Sequence, residues 1–166
     1  MIDISKLSSC YEIRRMDDSD TDAILDLCKK NTQYYRYCEA SATRKQVLND
    51  LHITPLGIDL KDKYYIGFYR NETLVAVMDL IDGYPDPDIV FIGFFMMNMA
   101  FQGQGIGSSI IQEVSSYLRA SGKAAVRLAI DKGNPQSTHF WKKNGFVVIK
   151  EVDRNGWTAL VAQRNL

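Results

Sequence analysis

The sequence lacks a charge excess, a long apolar run and a patterned set of cysteines. Its 20 Lys+Arg balance its 20 Asp+Glu, for a formal net charge of zero. Generic nucleic-acid binding needs surplus cations against phosphate, so the balance argues against a nucleic-acid partner. It also argues against a disordered, solvating chain. No apolar stretch approaches the roughly 20 residues that cross a bilayer, so no membrane partner is expected. The longest, residues 89–97, suits a buried strand. The opening MIDISKLSSCYEI carries no cationic stretch followed by an apolar one, so no secretory leader is expected. Cys10, Cys28 and Cys38 are an odd set without CxxC or Cys/His spacing. They read as reduced thiols of a cytoplasmic protein, with no metal site. No internal repeat, low-complexity tract or interdomain linker interrupts the chain.

A hydrophobic share of 46% over 166 residues is enough for a core without staples, and the length suits one domain spanning 1–166. The zero net charge hides a gradient. Residues 1–60 hold ten acids and eight bases, whereas residues 89–166 hold four acids and nine bases. Asp79, Asp82, Asp86 and Asp88 fall within ten residues that contain no Lys or Arg. Such a cluster reads either as a solvated loop or as an electrostatic funnel for a cationic ligand.

Apolar spacing orders the elements. Residues 10–16 read as a strand, followed by the capping run Asp17, Asp18, Ser19, Asp20 and a helical stripe through Ile24 and Cys28. A second helix, capped by Ser41 or Thr43, runs through Val47 and Leu51 until Pro55 and Gly57 break it. Residues 63–70 and 73–81 read as a hairpin turning at Asn71-Glu72, and residues 89–99 as a fourth strand. Ile106, Ile110, Ile111, Val114, Tyr117 and Leu118 form a helical stripe that stops at Gly122. Residues 125–130 are a fifth strand. Asn134-Pro135 opens a helix ending before Gly145. Residues 146–150 and 157–163 are strands joined at Asn155-Gly156. The expected architecture is α/β: a mixed sheet of about seven strands with about four helices on its faces.

The most informative segment is QGQGIG at 102–107, lying between a strand and a helix. Glycines there remove side chains where backbone must bend or approach a ligand. The N–H groups and dipole of the helix start make an anion site, with pyrophosphate its usual guest. The P-loop signature fails because Ser108 follows Gly107 with no lysine, and the dinucleotide fingerprint fails because Ser108 stands where its third glycine belongs.

Gln102-x-x-Gly105-x-Gly107 resembles the Q/R-x-x-G-x-G/A loop of the GNAT superfamily of N-acetyltransferases. Asn134-x-x-Ser137-x-x-Phe140-Trp141-x-x-x-Gly145-Phe146 resembles the second motif of that family. The resemblance covers about residues 10–163 and implies an antiparallel-rich sheet splayed between its fourth and fifth strands, with acetyl-CoA in the gap. It implies that backbone amides around Gln102, Gly103, Gly105, Gly107 and Ser108 cradle the CoA pyrophosphate. It implies further that Met97 and Met99 pair with the pantetheine arm, that the Met97 amide polarises the thioester carbonyl, and that Asn134 and Phe140 touch the pantetheine. No metal is implied. The family commonly pairs edge strands into a homodimer, and the resemblance leaves that arrangement open here.

Acetyl transfer to an amine needs a proton acceptor for the ammonium, stabilisation of the developing oxyanion and departure of the CoA thiolate. Many family members place Tyr where this chain has Trp141, and an indole N–H is no general acid. Trp141 therefore reads as a packing aromatic. The fourth strand holds no acid or histidine. Asp79, inside the apolar run VAVMDLI, is the candidate base or amine-binding group, while Asp131 reads as a turn residue and His139 as a surface residue. Asn134 is also an N-cap, and one side chain cannot fully serve both cap and ligand. Tyr34, Tyr35 and Tyr37 line an acceptor pocket, donate a proton or simply pack.

The expected function is transfer of acetyl from acetyl-CoA to the primary amine of a small molecule, by direct attack in a ternary complex. The alternatives are acetylation of protein N-termini or lysines, and a non-catalytic acyl-CoA-binding module. Acetylation of charged tRNA is disfavoured by the zero net charge. Acceptor specificity is expected in residues 1–60 and the 79–88 segment.

Overall fold

A computed structural model describes residues 1–154 and 156–166. Its chain order is β1 (Glu12–Arg15), α1 (Thr21–Lys30), α2 (Thr32–Tyr35), α3 (Arg44–His52), β2 (Lys63–Arg70), β3 (Thr73–Asp82), β4 (Ile89–Met97), α4 (Ile106–Ala120), β5 (Ala125–Asp131), α5 (Pro135–Lys143), β6 (Val147–Arg154) and β7 (Trp157–Asn165). The strands form one seven-stranded sheet in the order β1-β2-β3-β4-β5-β7-β6. All neighbours are antiparallel except β4 and β5, which run parallel because α4 carries the chain back between them.

Both faces of the sheet are covered, so its central strands carry apolar residues on each side. On one face Ile66, Phe68, Met78 and Leu80 meet Ile110, Ile111, Val114 and Leu118 of α4, with Trp141 of α5. On the other, Tyr65, Val77 and Met96 meet Ile24, Leu27 and Cys28 of α1 and Val47 and Leu51 of α3. Alternate strand residues feed the two clusters, the period of two that a pleated strand imposes.

Several boundaries differ from the spacing. Thr43 caps α3, accepting the Gln46 N–H at 3.1 Å, so Ser41 is not the cap. The Asn31 side chain donates to the Leu27 carbonyl at 2.9 Å, and the four residues after it form the extra turn α2, making five α-helices among the described residues. Strand β1 starts only at Glu12, because the Ser8 hydroxyl takes the N–H groups of Cys10 and Tyr11. Strand β4 stops at Met97, because the Asn98 side chain accepts the Ala100 N–H at 3.0 Å and starts a 3₁₀ turn over Met99–Phe101. The Asn71-Glu72 hairpin forms as expected, both residues having positive φ. Of the Asn155-Gly156 turn, Asn155 lies outside the described residues.

Phe68 is fully buried at the centre of the larger core. Phe68→Ala should cost about 3–5 kcal/mol of unfolding free energy in urea titration. A loss under about 1 kcal/mol would contradict this account of the core.

Candidate active site in the gap between β4 and β5

The site begins with a register fault. Asp79 of β3 faces Phe94, but the next residue, Leu80, faces Ile92, so Gly93 is one residue too many in β4. A β-bulge of this kind bends its strand and increases the twist. Pairing of β4 with β5 runs from Ile89↔Ala125 to Ile92↔Leu128 and stops at the bulge. From there the strands part. A Cβ at Gly93 would sit 2.5 Å from Asp79 Oδ2, so a larger residue there would push that carboxylate aside.

Beyond the bulge, the Asn98 N–H donates to the Val75 carbonyl at 2.8 Å. Antiparallel strands alternate in this respect, so Met96 and Asn98 turn their backbone groups to β3, and Phe95 and Met97 turn theirs into the gap. The Met97 carbonyl accepts from Asn31 Nδ2 at 3.0 Å and Gln102 Nε2 at 3.2 Å, and Gln102 also reaches Asn31 Oδ1 at 2.7 Å. These contacts lock the end of α1 to the end of β4. Met99 lies past the strand end, half-exposed in the 3₁₀ turn, and its carbonyl accepts the Gln102 N–H at 3.2 Å. Phe95, not Met99, shares with Met97 the row of backbone groups turned into the gap, where the resemblance implied Met99.

At the mouth of the gap α4 starts from Gly105, whose φ of 79° is left-handed and which offers no side-chain cap. The first helical bond is Ser109 N–H to the Gly105 carbonyl at 3.0 Å. The N–H groups of Ile106, Gly107 and Ser108 precede it and have no intrahelical acceptor. A Cβ at Gly103 or Gly105 would meet nothing within 4 Å, so the turn faces open space. Gly107 instead faces inward, where a Cβ would lie 3.2 Å from the Phe140 ring. Phe140 stacks on Phe95 at 5.8 Å. Asn134 is buried at the start of α5. Its Oδ1 accepts the Ser137 N–H at 3.1 Å, whereas its Nδ2 has no partner. The cap thus uses only the oxygen of the amide and leaves its Nδ2 free.

On the α1/α3 side the gap opens into a groove of about 960 Å³. A smaller cavity of about 40 Å³ lies inside the gap, walled by Tyr34 and Trp141. Trp141 packs against Phe140 and Phe146, each at 5.0 Å, as a packing aromatic would. Tyr34 and Tyr35 line the groove, and burial raises both phenols above their ordinary range, so they stay protonated. Tyr37 is not among the lining residues.

Asp79 lies on the groove floor, where Lys63 Nζ approaches its Oδ2 at 2.6 Å. Burial raises its carboxyl to about 6 against the opposing pull of Lys63. Its Oδ1 has no partner. The rest of the aspartate cluster does not face the groove. Asp82 projects from the other face to Lys123 Nζ at 2.5 Å and the chain amine at 3.6 Å, and Asp86 and Asp88 are exposed. Of the two readings of the cluster, the funnel therefore fails for three of its four members. His139, Lys142 and Lys143 are also exposed.

Asp131 is a strand residue, not a turn residue, because β5 pairs with β7 through Asp131↔Ala159. It lines both cavities, and Trp157 Nε1 donates to its Oδ1 at 2.8 Å. Arg127 and Lys150 also line the groove, so its wall extends well outside residues 1–60 and 79–88. A signal was present in AVRLAID, where Arg127, Ala129 and Asp131 alternate with the buried Val126, Leu128 and Ile130.

The sequence profile of the acetyltransferase (GNAT) family matches residues 22–146. The chain belongs to that family, whose members are acetyl-CoA-dependent N-acetyltransferases. Solved structures share the fold at low identity. An acetyltransferase from Thermus thermophilus superposes with a TM-score of 0.75 at 18% identity, over 94% of this chain and 97% of that one. The PaiA N-acetyltransferase from Thermoplasma acidophilum, in complex with coenzyme A, gives 0.67 at 15% identity, over 94% and 99%. The ribosomal-protein-S18-alanine N-acetyltransferase from Escherichia coli gives 0.65 at 12% identity, over 93% of each chain. No curated protein matches significantly in sequence. Among the described residues no group of His, Cys, Asp and Glu could hold a metal, and no helix is long and apolar enough to cross a membrane.

Asp79 carries a pH signature. It titrates near 6 when folded, above the value of about 3.9 for an unfolded aspartate. Between those values the folded protein binds more protons than the unfolded chain, so this group's contribution to stability falls as pH rises. Relative to Asp79→Asn, the wild type should lose stability from pH 4 to 6.5 and change little above pH 7, read by chemical unfolding at each pH.

Proposed function

We propose that residues 1–166 act as one acetyltransferase domain that moves an acetyl group from acetyl-CoA to the primary amine of a small molecule, by direct attack in a ternary complex. The observation that carries this reading is the buried, unpartnered Nδ2 of Asn134, at the foot of the helix whose Ser137 lines the open gap. A buried amide donor without an acceptor is costly, and the carbonyls of an extended pantetheine arm supply one. The remaining fittings agree with the same guest. The open glycine turn and the free N–H groups of Ile106, Gly107 and Ser108 suit a pyrophosphate. The backbone groups of Phe95 and the N–H of Met97, whose carbonyl is already held by Asn31 and Gln102, suit strand-like pairing with the arm, and Phe140 packs against it.

Acetyl-CoA supplies an activated acyl group with a thiolate leaving group. The chain's own groups do the rest. The Met97 N–H polarises the carbonyl that is attacked. Asp131, at the gap mouth, holds the acceptor's ammonium, and Asp79, ionised above pH 6, takes its proton. Trp141 excludes water and transfers no proton. A free thiol has a pKa of about 8.5, so the departing thiolate needs no strong acid.

The openness of the groove supports a second reading, in which the amine belongs to a peptide or protein terminus. At about 960 Å³ the groove has room for several residues of a chain end. Ribosomal protein N-acetyltransferases also share the fold.

Saturating acetyl-CoA should raise the melting temperature, and Gly105→Glu should abolish the shift by placing a carboxylate beside the pyrophosphate. No shift with the wild type would sink the cofactor assignment. A thiol-release screen across amines, amino acids, polyamines and peptides should show free CoA with at least one acceptor. Acetyl-CoA binding without thiol release from any of them would leave a non-catalytic module.

A further inference from the structure

The groove is polar in a directional sense. Arg127, Ala129 and Asp131 are successive groove-facing residues of β5. At about 3.3 Å per residue, the Cα atoms of Arg127 and Asp131 lie about 13 Å apart, with only the small Ala129 between them. Asp131 stands at the gap, where transfer takes place. Arg127 stands away from it, at the last rows where β4 and β5 still pair. Lys150 reaches the same groove from β6, opposite Val161.

The partners of these charges set them apart from Asp79. Asp79 is neutralised within the protein by the buried Lys63. Asp131 is held by the Trp157 indole, an uncharged donor. Arg127 is held by the uncharged Gln163 amide, through Nε at 2.9 Å and Nη2 at 2.6 Å. Among the described residues neither Asp131, Arg127 nor Lys150 forms a salt bridge. A half-buried charge positioned by neutral groups keeps its field for a ligand, and a guanidinium so held is a ready partner for carboxylate or phosphate. Along β5 the acid lies at the gap and the guanidinium away from it, while Glu39 and Asp50 also line the groove, from the segment after α2 and from α3.

We infer that the acceptor is a dipolar molecule, with its primary amine at Asp131 and an anionic group, carboxylate or phosphate, on the order of 10 Å away at Arg127 and Lys150. This rests on the acetyltransferase reading above and adds the class of acceptor to it. A simple alkylamine fills only half of the pattern, and a polyamine would place a second ammonium against a guanidinium. The chain end of a peptide fits only if an acidic group follows its amine within a few residues.

The test is a matched series of ω-amino carboxylates, their methyl esters and ω-aminoalkyl phosphates, each assayed with acetyl-CoA by thiol release. At the best chain length the free acid or the phosphate should show a KM about tenfold below that of the ester. The arm with the lower KM identifies the anion. In Arg127→Met that preference should shrink to within about twofold, and Arg127→Lys should keep part of it. Lys150→Met should reduce it less. Equal KM values for acid and ester would overturn the inference, as would a preference that survives in Arg127→Met. If acetyl-CoA stabilises the protein and neutral amines release thiol with no benefit from an anionic group, this inference alone fails. If acetyl-CoA produces no stabilisation and no amine releases thiol, the acetyltransferase reading fails with it.

Discussion

Opposite Asp79, strand β4 carries one residue more than β3, and the surplus residue is Gly93. Three properties of the site follow from that single insertion. The bulge ends the parallel pairing with β5, which opens the gap. It phases β4 so that Phe95 and Met97, and not their neighbours, face the gap with their backbone groups. It also brings Asp79 against the strand at the point of separation, where a side chain at residue 93 would displace its carboxylate.

Burial and charge are arranged around this opening by separate devices. The sheet is covered on both faces, which makes the gap a break between two apolar clusters. The acids are sorted by face. Asp82 projects from the far face to Lys123, whereas Asp79 and Asp131 project into the groove. Between these two, the nature of the partner decides the role. Lys63 compensates Asp79, and its raised pKa reports that burial still outweighs the ion pair. Asp131 is oriented by an indole that leaves its charge available. The same logic applies to Arg127 with Gln163. A groove whose fixed charges are positioned by neutral groups selects a ligand by its own charge pattern more than by its size.

Much of the fold was legible in the residues. Apolar periodicity placed all seven strands in order, and the Asn134-Pro135 and Gly-rich signals placed the starts of α5 and α4. The boundaries that slipped share a cause. At Ser8, Asn31 and Asn98 a short polar side chain bonds a nearby backbone group and redirects the chain, a choice that periodicity does not record. The site was legible in part. The glycine turn and the Asn134 cap are local features that spacing carries, whereas a site role for Asn134 rests on the family resemblance. Asp131 was passed over as a turn residue because its strand continues one residue past the apolar run, and only the pairing with Ala159 shows it.

By itself the sequence determined the class of enzyme, the order of elements and the segment that suits a pyrophosphate. The order of elements and the pyrophosphate segment depend on neighbours within a few residues along the chain, where backbone propensity and helix-terminal hydrogen bonding act, while the class of enzyme rests on the resemblance of two motifs to a family. The tertiary structure alone decided which charges share a groove and which are paired within the protein. Asp79 meets Lys63 across a strand pair, Asp131 meets Trp157 from β7, and Asp82 leaves for the opposite face. Strand pairing brings residues from distant stretches of chain side by side, and the pleat then assigns each one to a face. Electrostatic compensation depends on those distances through space, so the charge pattern of the groove emerges only when the sheet is assembled.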